Sequence, residues 1–339
     1  MNLIYKNAIL GALVADAFSM PVHWYYNTNA LDRDFPKLNN YSSPLKIHPD
    51  SILWRSKYNP RNQEADILHE HAKFWGKRGV HYHQFLKSGE NTLNYELALE
   101  LIHWIADSGS YNSDGWLKSY VDKMRTPGWN KDTYLEEYHR EFFDNRSKGN
   151  DLDQCGVQDI HIGGLTQVPF LLAALDWIGN HDREDCIVTI QSHLSLTHHG
   201  KTIKETSEIF TKLLQALQQG AELRDSIDAL ASNLVSVEQL ETWSQFEDRM
   251  IIGRHLTSAC YLPQSFVASL FLAWKYHDDF KKGVQANALC GGDNCHRGVV
   301  VGALLGAVNT IEEPLLLNLK NNARVETLFE STSNQLPQY

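Results

Sequence analysis

The sequence is poor in several features that would each place a protein in a broad class. It has five cysteines in 339 residues, widely spaced and without a Cys-x-x-Cys pair. This argues against a disulfide framework and favours reduced thiols in a cytoplasmic protein. It has no cluster of lysine and arginine, and its net charge of −10 disfavours nucleic acid or an anionic membrane as a partner. We find neither a signal peptide nor an apolar run of roughly 18 residues, and therefore expect no membrane span.

The sequence does have small residues repeated along helix faces. Gly298, Gly302 and Gly306 are four residues apart in an apolar stretch and therefore share one helix face. A second stripe of small residues with the same spacing starts at Gly11 in a predicted helix over residues 3–18. Glycine costs a helix about 1 kcal/mol relative to alanine. The stripes therefore predict either two helices whose backbones approach closely or simply two buried helices.

Helical periodicity dominates the rest of the chain, and sustained alternation of apolar and polar residues is almost absent. We therefore predict an all-α fold, a large helical bundle forming a single domain over residues 1–339. Residues 27–90 carry four prolines among many Asn, Ser and Tyr, which predicts a long irregular insertion or lid. The predicted helices cover residues 93–106, 132–143, 165–178, 184–196, 201–217, 223–234, 264–277 and 297–308.

Polar residues concentrate where these helices begin or end. Such clustering across a large helical protein indicates a shared cleft, although helix capping alone explains many of the residues. We interpret Glu136 and Glu137 as a solvated helix face. The clustered segments are residues 16–23, 81–94, 158–167, 197–200 and 293–296.

Several of these segments together resemble the ADP-ribosylglycohydrolase family. Residues 11–23 read GALVADAFSMPVH and resemble the family's opening G-x-x-x-G-D-A-x-G-x-P-x-E. Residues 291–307 read GGDNCHRGVVVGALLGA and resemble its closing G-G-D-T-D-T motif with the helix that follows. The segments GENTLNY at 89–95, GGLTQVP at 163–169 and the Thr197-His198 step occur between them in the family's order.

The resemblance implies an all-α fold with a central cleft that holds two magnesium ions and hydrolyses N- or O-glycosidic bonds of ADP-ribose. Magnesium is a hard ion that takes oxygen ligands. At the family's ligand positions this chain has Leu93, Asn94, Cys295 and His296, and only Asp293 keeps a carboxylate. One carboxylate is too little negative charge to hold two adjacent magnesium ions. We therefore predict that the two-magnesium centre is absent.

Three interpretations of the altered cleft stay open. A single divalent ion, Mg or Zn, would use Asp293, Thr92, Cys295 and His296, since thiolate and imidazole suit zinc. Metal-free hydrolysis would use Asp293 or a histidine as general acid or base, or Cys295 as nucleophile. Alternatively, catalysis is lost, and the protein binds a ligand or has a structural role like that of the jellyfish lens crystallins that resemble this family.

The favoured prediction is a hydrolase of an N- or O-glycosidic bond in an ADP-ribosyl or related nucleoside-like substrate. Its partner would be a small molecule or an ADP-ribosylated substrate, and the oligomeric state is left open. Asp293→Asn is expected to abolish turnover with little change in melting temperature. The predicted catalytic residues are Asp293, Cys295, His296 and His23, and the predicted substrate-binding residues are Glu90, Thr92, Asn94, His83, Gly163, Gly164 and His198.

Overall fold

The structure, a computed structural model, describes residues 2–333, which are mostly helical. This confirms the predicted all-α class. Two short strands, β1 Val157–Gln158 and β2 His198–His199, pair in parallel. The α-helices are α1 Leu3–Ser19, α2 Thr28–Asp34, α3 Leu93–Ser108, α4 Ser113–Arg125, α5 Glu137–Ser147, α6 Val168–Trp177, α7 Arg183–Leu194, α8 Lys201–Gln218, α9 Leu223–Leu230, α10 Val237–Ser244, α11 Asp248–Met250, α12 Gln264–Lys275, α13 Phe280–Leu289, α14 Asn294–Val308, α15 Glu313–Asn318 and α16 Asn322–Ser333.

The two helices with small-residue stripes, α1 and α14, pack against each other at the centre of the fold. A Cβ atom added to Gly302 would overlap the carbonyl oxygen of Gly11, and one added to Gly306 would lie 2.5 Å from that of Asn7. The glycines therefore allow backbone-to-backbone contact that a methyl group would block. The predicted close approach is confirmed, and it brings residues 16–23 next to residues 293–296.

Some predicted helix boundaries were wrong. Helix α5 begins at Glu137 rather than at Asp132. The Asp132 carboxylate instead accepts hydrogen bonds from His83 and from the Leu93 backbone, and Glu136 keeps an extended backbone. Helix α6 begins at Val168, after a 3-10 turn over Ile162–Gln167. Both differences place polar side chains at the site described below.

Residues 27–90 contain α2 and the 3-10 turns Leu53–Arg55, Gln63–Ala65 and His69–Phe74, and are otherwise mostly irregular. This segment places His48, His81 and His83 in the interior, where each is at most 3% exposed. The assignment of a single domain and of a lid stays a prediction.

One helical stretch, Leu3–Val22, has the length and hydropathy of a membrane span, with 20 residues and a mean hydropathy of 1.3. The sequence analysis did not anticipate this. In the structure 78% of an 18-residue apolar part of the stretch is buried inside the protein, as expected for a core helix.

Candidate active site

Asp293 stands at the start of α14, on a turn formed by two glycines. Gly291 and Gly292 have φ angles of 64° and 63°, in the left-handed region that glycine adopts readily. A Cβ atom on either would overlap a carbonyl oxygen, that of Tyr25 or that of Ser258. The turn lets the Asp293 backbone donate to the Ser258 carbonyl at 2.7 Å and leaves the Asp293 side chain fully buried.

A chain of buried imidazoles and carboxylates leads from Asp293 to Asp132. The Nε2 atom of His23 lies 2.9 Å from Oδ1 of Asp293, and its Nδ1 atom lies 2.7 Å from Nε2 of His83. The Nδ1 atom of His83 lies 2.7 Å from Oδ1 of Asp132. Since these groups are shielded from water, each ring must satisfy its nitrogens within the chain.

On its other side Asp293 is joined to His296 and Glu136. The Nδ1 atom of His296 lies 2.6 Å from Oδ1 of Asp293, and its Nε2 atom lies 3.3 Å from Oε1 of Glu136. Burial lowers the pKa of His296, but the charges of Asp293 and Glu136 outweigh it and hold the pKa well above its usual value. Burial likewise raises the pKa of Glu136, but the hydrogen bond and charge of His296 hold it well below its usual range. This group therefore contains an imidazolium between two carboxylates.

The hydrogen bonds of His23 place its ring proton. Burial lowers the pKa of His23 to about 3, so His23 carries a single ring proton near neutral pH. That proton is on Nε2 and is donated to Asp293, which leaves Nδ1 to accept from His83. The neutral His23 therefore links the Asp293 carboxylate to His83, whose other ring nitrogen lies against Asp132.

Asn94 lies against His296, as the prediction of a shared pocket required. Its amide is 2.7 Å from Nε2 of His296, and its other end is 2.7 Å from the Tyr138 hydroxyl and 3.0 Å from Nε2 of His139. The Tyr138 hydroxyl donates to the Asn94 amide oxygen, and the Asn94 amide nitrogen is the atom next to His296. Asn94 therefore links His296 to Tyr138 and His139.

Thr92, a predicted metal ligand, is hydrogen-bonded to another side chain. Its hydroxyl and its backbone N–H donate to Asp16 at 2.9 and 2.8 Å, and Asn91 donates to the same carboxylate at 2.9 Å. Burial raises the pKa of Asp16 to about 6, against the effect of these hydrogen bonds. Asp16 therefore anchors the loop before α3 to helix α1.

These surroundings do not fit the two-magnesium centre that the resemblance implies. Leu93 has no ligand atom and is part of the hydrophobic core. The Thr92 hydroxyl and the Asp16 carboxylate are bonded to each other, and Oδ1 of Asp293 is shared by two imidazoles. Magnesium prefers oxygen ligands, whereas nitrogen predominates here. The absence of the centre stays a prediction, which this donor chemistry supports.

A single ion has better candidate ligands. In three groups of side chains, the possible ligand atoms all lie within 4.8 Å of one another. Two of them combine imidazole with thiol, a donor set that suits zinc. The binding of a single divalent ion, Mg or Zn, stays a prediction. The groups are His23–His83–Cys295, His23–Asp293–His296 and His161–Cys260–Asp293.

Cys295, a predicted nucleophile and ligand, lies in an apolar environment. It is fully buried and packs with Met20 and Leu86, while its thiol lies 3.8 Å from the carbonyl oxygen of Asp16. Burial raises the pKa of Cys295 well above its usual value. A protonated thiol is a poor nucleophile, so this location argues against covalent catalysis by Cys295.

A cavity of about 230 Å³ opens beside the buried cluster, and Glu136 and His161 are part of its lining. The Nδ1 atom of His161 accepts from the Gly163 backbone at 2.9 Å, so the ring proton is on Nε2, which lies 3.4 Å from Oδ2 of Asp293. Among the described residues, neither this Oδ2 nor Oε2 of Glu136 has a hydrogen-bond partner. The other lining residues are Trp24, Tyr26, Ile52, Tyr82, Tyr134, Glu137, Asp159, Cys260 and Tyr261.

Gly163, Gly164 and His198 lie together around a smaller void of about 20 Å³, which Asn94 also lines. A Cβ atom on Gly163 would lie 3.2 Å from the His296 ring, and one on Gly164 would lie 3.1 Å from that of His198. These three predicted residues are therefore close to the cluster, as packing around it.

Glu90 does not join the others. It binds Lys131 at 2.8 Å and accepts from the Lys87 backbone at 2.8 Å. It lines a different cavity, of about 210 Å³, which Asp132 and Lys131 also line. The ion pair with Lys131 accounts for its position, so the prediction that it lines the same pocket as His296 lacks support here.

Sequence reasoning missed Asp132, Glu136 and His161. The interpretation of Glu136 as a solvated helix residue was wrong, since it is only 6% exposed and faces His296. Glu136 precedes α5 instead of lying within it, so helical periodicity gave no indication of its direction. His161 belongs to a segment already noted for its polar residues at a helix boundary, which was the available signal.

The fold and the site define an all-helical protein with a buried imidazole–carboxylate cluster where its two central helices meet. A family model described as ADP-ribosylglycohydrolase matches residues 4–336, and the chain belongs to this family. Crystallin J1A of Tripedalia cystophora is 21% identical over 323 residues, covering 89% of this chain and 86% of that protein. A solved structure described as an ADP-ribosylglycohydrolase-related protein complex is 17% identical, with a TM-score of 0.57 over 97% of this chain and 98% of that one. That structural likeness shows the fold alone.

Proposed function

We propose that the protein hydrolyses an N- or O-glycosidic bond in an ADP-ribosyl or related nucleoside-like substrate, without a two-magnesium centre. Family membership supports the reaction class. The observation that carries the site assignment is a pair of buried carboxylate oxygens without a hydrogen bond, Oδ2 of Asp293 and Oε2 of Glu136, which lie 3.4 and 3.9 Å from histidine nitrogens. An unpaired buried acceptor is costly, and functional sites are where such groups concentrate.

The chemistry suits a glycosidic bond because its cleavage passes through a transition state with positive charge on the sugar. Glu136 is ionised and lines the cavity, so its carboxylate can stabilise that charge or accept a proton from attacking water. Asp293 stands behind His161 and contributes negative charge. His296 holds both carboxylates in place, through a hydrogen bond to Asp293 and an ion pair with Glu136, and acts as a positioning residue.

A non-catalytic role in binding or structure is the second candidate. It is supported by the likeness to a protein named Crystallin J1A and by the burial of His23 and His83. Both rings are at most 3% exposed, and each of their nitrogens is hydrogen-bonded within the chain. A buried cluster whose ring nitrogens are all hydrogen-bonded internally also suits a purely structural polar core.

Calorimetric titration of ADP-ribose, once with magnesium and once with chelator, tests binding. Binding in both buffers supports a metal-free site, and binding only with magnesium contradicts it. Hydrolysis is then measured by chromatography of free ADP-ribose released from ADP-ribosylated arginine and serine peptides in chelator.

The matched variants are Glu136→Gln in the cavity and Glu141→Gln on the exposed side of α5. We expect the first to lose at least about a hundredfold in turnover, in the range for removing a general base, and the second to retain it. Equal turnover in both variants would refute the role of Glu136, and no turnover in the unmodified protein would favour the structural candidate. The proposed location is the cytoplasm, which the free state of all five cysteines supports.

A further inference from the structure

A second cavity, of about 210 Å³, lies beside the start of α3. Glu90 lines it, although the sequence analysis placed Glu90 in the substrate pocket. The lining of this cavity shares no residue with the lining of the cavity beside Glu136. The second cavity therefore has no part in the proposed function.

The carboxylate oxygens in the wall of this cavity are already used as acceptors. Glu90, Glu96 and Asp132 line it, and both oxygens of each carboxylate have a partner at 2.6 to 2.9 Å. A cationic ligand would therefore have to displace an existing partner, and the displaced group would lose its hydrogen bond. The partners are Lys131 and the Lys87 backbone for Glu90, Asn321 and Arg324 for Glu96, and His83 and the Leu93 backbone for Asp132.

Hydrogen-bond donors in the same wall, in contrast, are unused. Asn130 accepts from the Asp132 backbone through Oδ1 at 2.8 Å, while its buried Nδ2 atom has no hydrogen-bond partner. Among residues 2–333, the Lys320 ammonium has no carboxylate partner and the Trp129 indole N–H has no acceptor. A buried donor without an acceptor costs free energy, so a ligand that brings acceptors would be stabilised here.

The charges of the lysines in the wall favour an anion. Lys320 brings a positive charge that no carboxylate among the described residues neutralises. Lys131 has three N–H donors, of which Glu90 takes one. Hydrogen bonds between charged groups are roughly twice as strong as those between neutral groups. The ligand group that fits is therefore negatively charged and carries more than one acceptor oxygen.

The rest of the wall is apolar, which limits the kind of anion. Leu86, Leu93 and Trp129 line the cavity. An inorganic anion would leave this surface without a contact, whereas an organic acid would bury its apolar part against it. At about 210 Å³, the cavity is smaller than the roughly 300–1,000 Å³ of pockets that enclose a drug-sized ligand. The acid must therefore be small.

We propose that this cavity binds a small organic carboxylate, with its oxygens on Lys320 and Asn130 and its apolar part against Trp129. The site is distinct from the candidate active site, so the proposal does not depend on hydrolysis of a glycosidic bond. Asp132 lines the cavity and also contacts His83 at 2.7 Å. The bound acid would therefore lie next to one end of the buried imidazole–carboxylate cluster.

Benzoate and benzamide test this proposal, because they have nearly the same shape and only benzoate is charged at pH 7.5. Calorimetric titration of the full chain should give a Kd for benzoate at least about tenfold lower than for benzamide, as expected for a charge-assisted hydrogen bond. Lys320→Gln should remove most of that difference. The matched control is Lys46→Gln, which changes an exposed lysine outside the cavity lining and should preserve the difference.

A second variant tests the apolar part of the site. Trp129→Ala should weaken benzoate and benzamide alike, several-fold, because it removes an apolar wall that both compounds would contact. Unchanged affinities in this variant would contradict the proposed position of the ligand.

Equal affinities for benzoate and benzamide would overturn the proposal, as would an unchanged difference between them in Lys320→Gln. Benzylammonium binding as tightly as benzoate would contradict the assignment of free donors. Inorganic phosphate that displaces benzoate with equal affinity would overturn the requirement for an organic acid. These titrations measure binding alone, so an absence of hydrolysis, which would reject the proposed function, leaves this inference standing.

Discussion

Replacing Asp293 with asparagine probes the centre of the buried cluster. Oδ1 of Asp293 accepts from His23 at 2.9 Å and from His296 at 2.6 Å. The sequence alone predicted loss of turnover with little change in melting temperature. The structure changes that expectation, because the substitution removes the negative charge next to the buried His296 imidazolium.

The expected cost follows from this geometry. Removing one partner of a buried ion pair costs about 3–5 kcal/mol, and two hydrogen bonds converge on the same oxygen. His296 limits the loss by releasing its proton, because its pKa is held high chiefly by Asp293. At about 2 °C per kcal/mol for a large domain, we expect the melting temperature to fall by roughly 5–10 °C.

Two measurements test this reasoning together. Thermal and urea unfolding compare Asp293→Asn with Asp122→Asn, which makes the same chemical change at an exposed position on α4. NMR of the histidine ring protons then follows His296, which should titrate near neutral pH only in the Asp293 variant. Equal stability of the two variants, together with an unchanged His296 signal, would refute the assignment of a buried imidazolium.

Three further predictions follow from burial. Burial lowers the pKa of His139 to about 4 and of His193 to about 3, so both rings are neutral in the folded protein. The free energy of unfolding should therefore be highest above pH 6.5 and decrease as the pH drops toward 4. At pH 5 each of these two histidines should lower the free energy of unfolding by about 2 kcal/mol. Equal melting temperatures at pH 7.5 and pH 5 would contradict this prediction. Gly302→Ala places a methyl group against a backbone oxygen of α1, and the overpacking should cost about 1–3 kcal/mol of stability, more than the gain in helix propensity of about 1 kcal/mol. Gly253→Ala, at a position with open space around it, is the control in urea unfolding. Equal stability of the two variants would argue against close packing of α1 and α14. Cys295 should resist iodoacetamide in the native protein, and labelling at the rate of a free thiol, detected by mass spectrometry, would show otherwise.

The sequence predicted the central helix pair because the spacing of Gly298, Gly302 and Gly306 is a local pattern with a direct steric meaning. It also brought His23, Asp293 and His296 together, since each lies in a motif at the end of one of those helices. The sequence did not predict the roles of Asp132 and Glu136. Their carboxylates are positioned by an extended stretch before α5, and the partners that bury them lie far away in the chain.

The same helix pair has a consequence for how the molecule is made. Helix α1 lies at the beginning of the chain and its main packing partner, α14, begins at residue 294. During synthesis, this apolar helix must wait until residue 294 is reached before its partner begins to emerge. Contacts of such long sequence separation form slowly, and exposed apolar surface is prone to aggregation in the meantime. The candidate site, which needs both helix ends, can thus form only after the start of α14 has been synthesised.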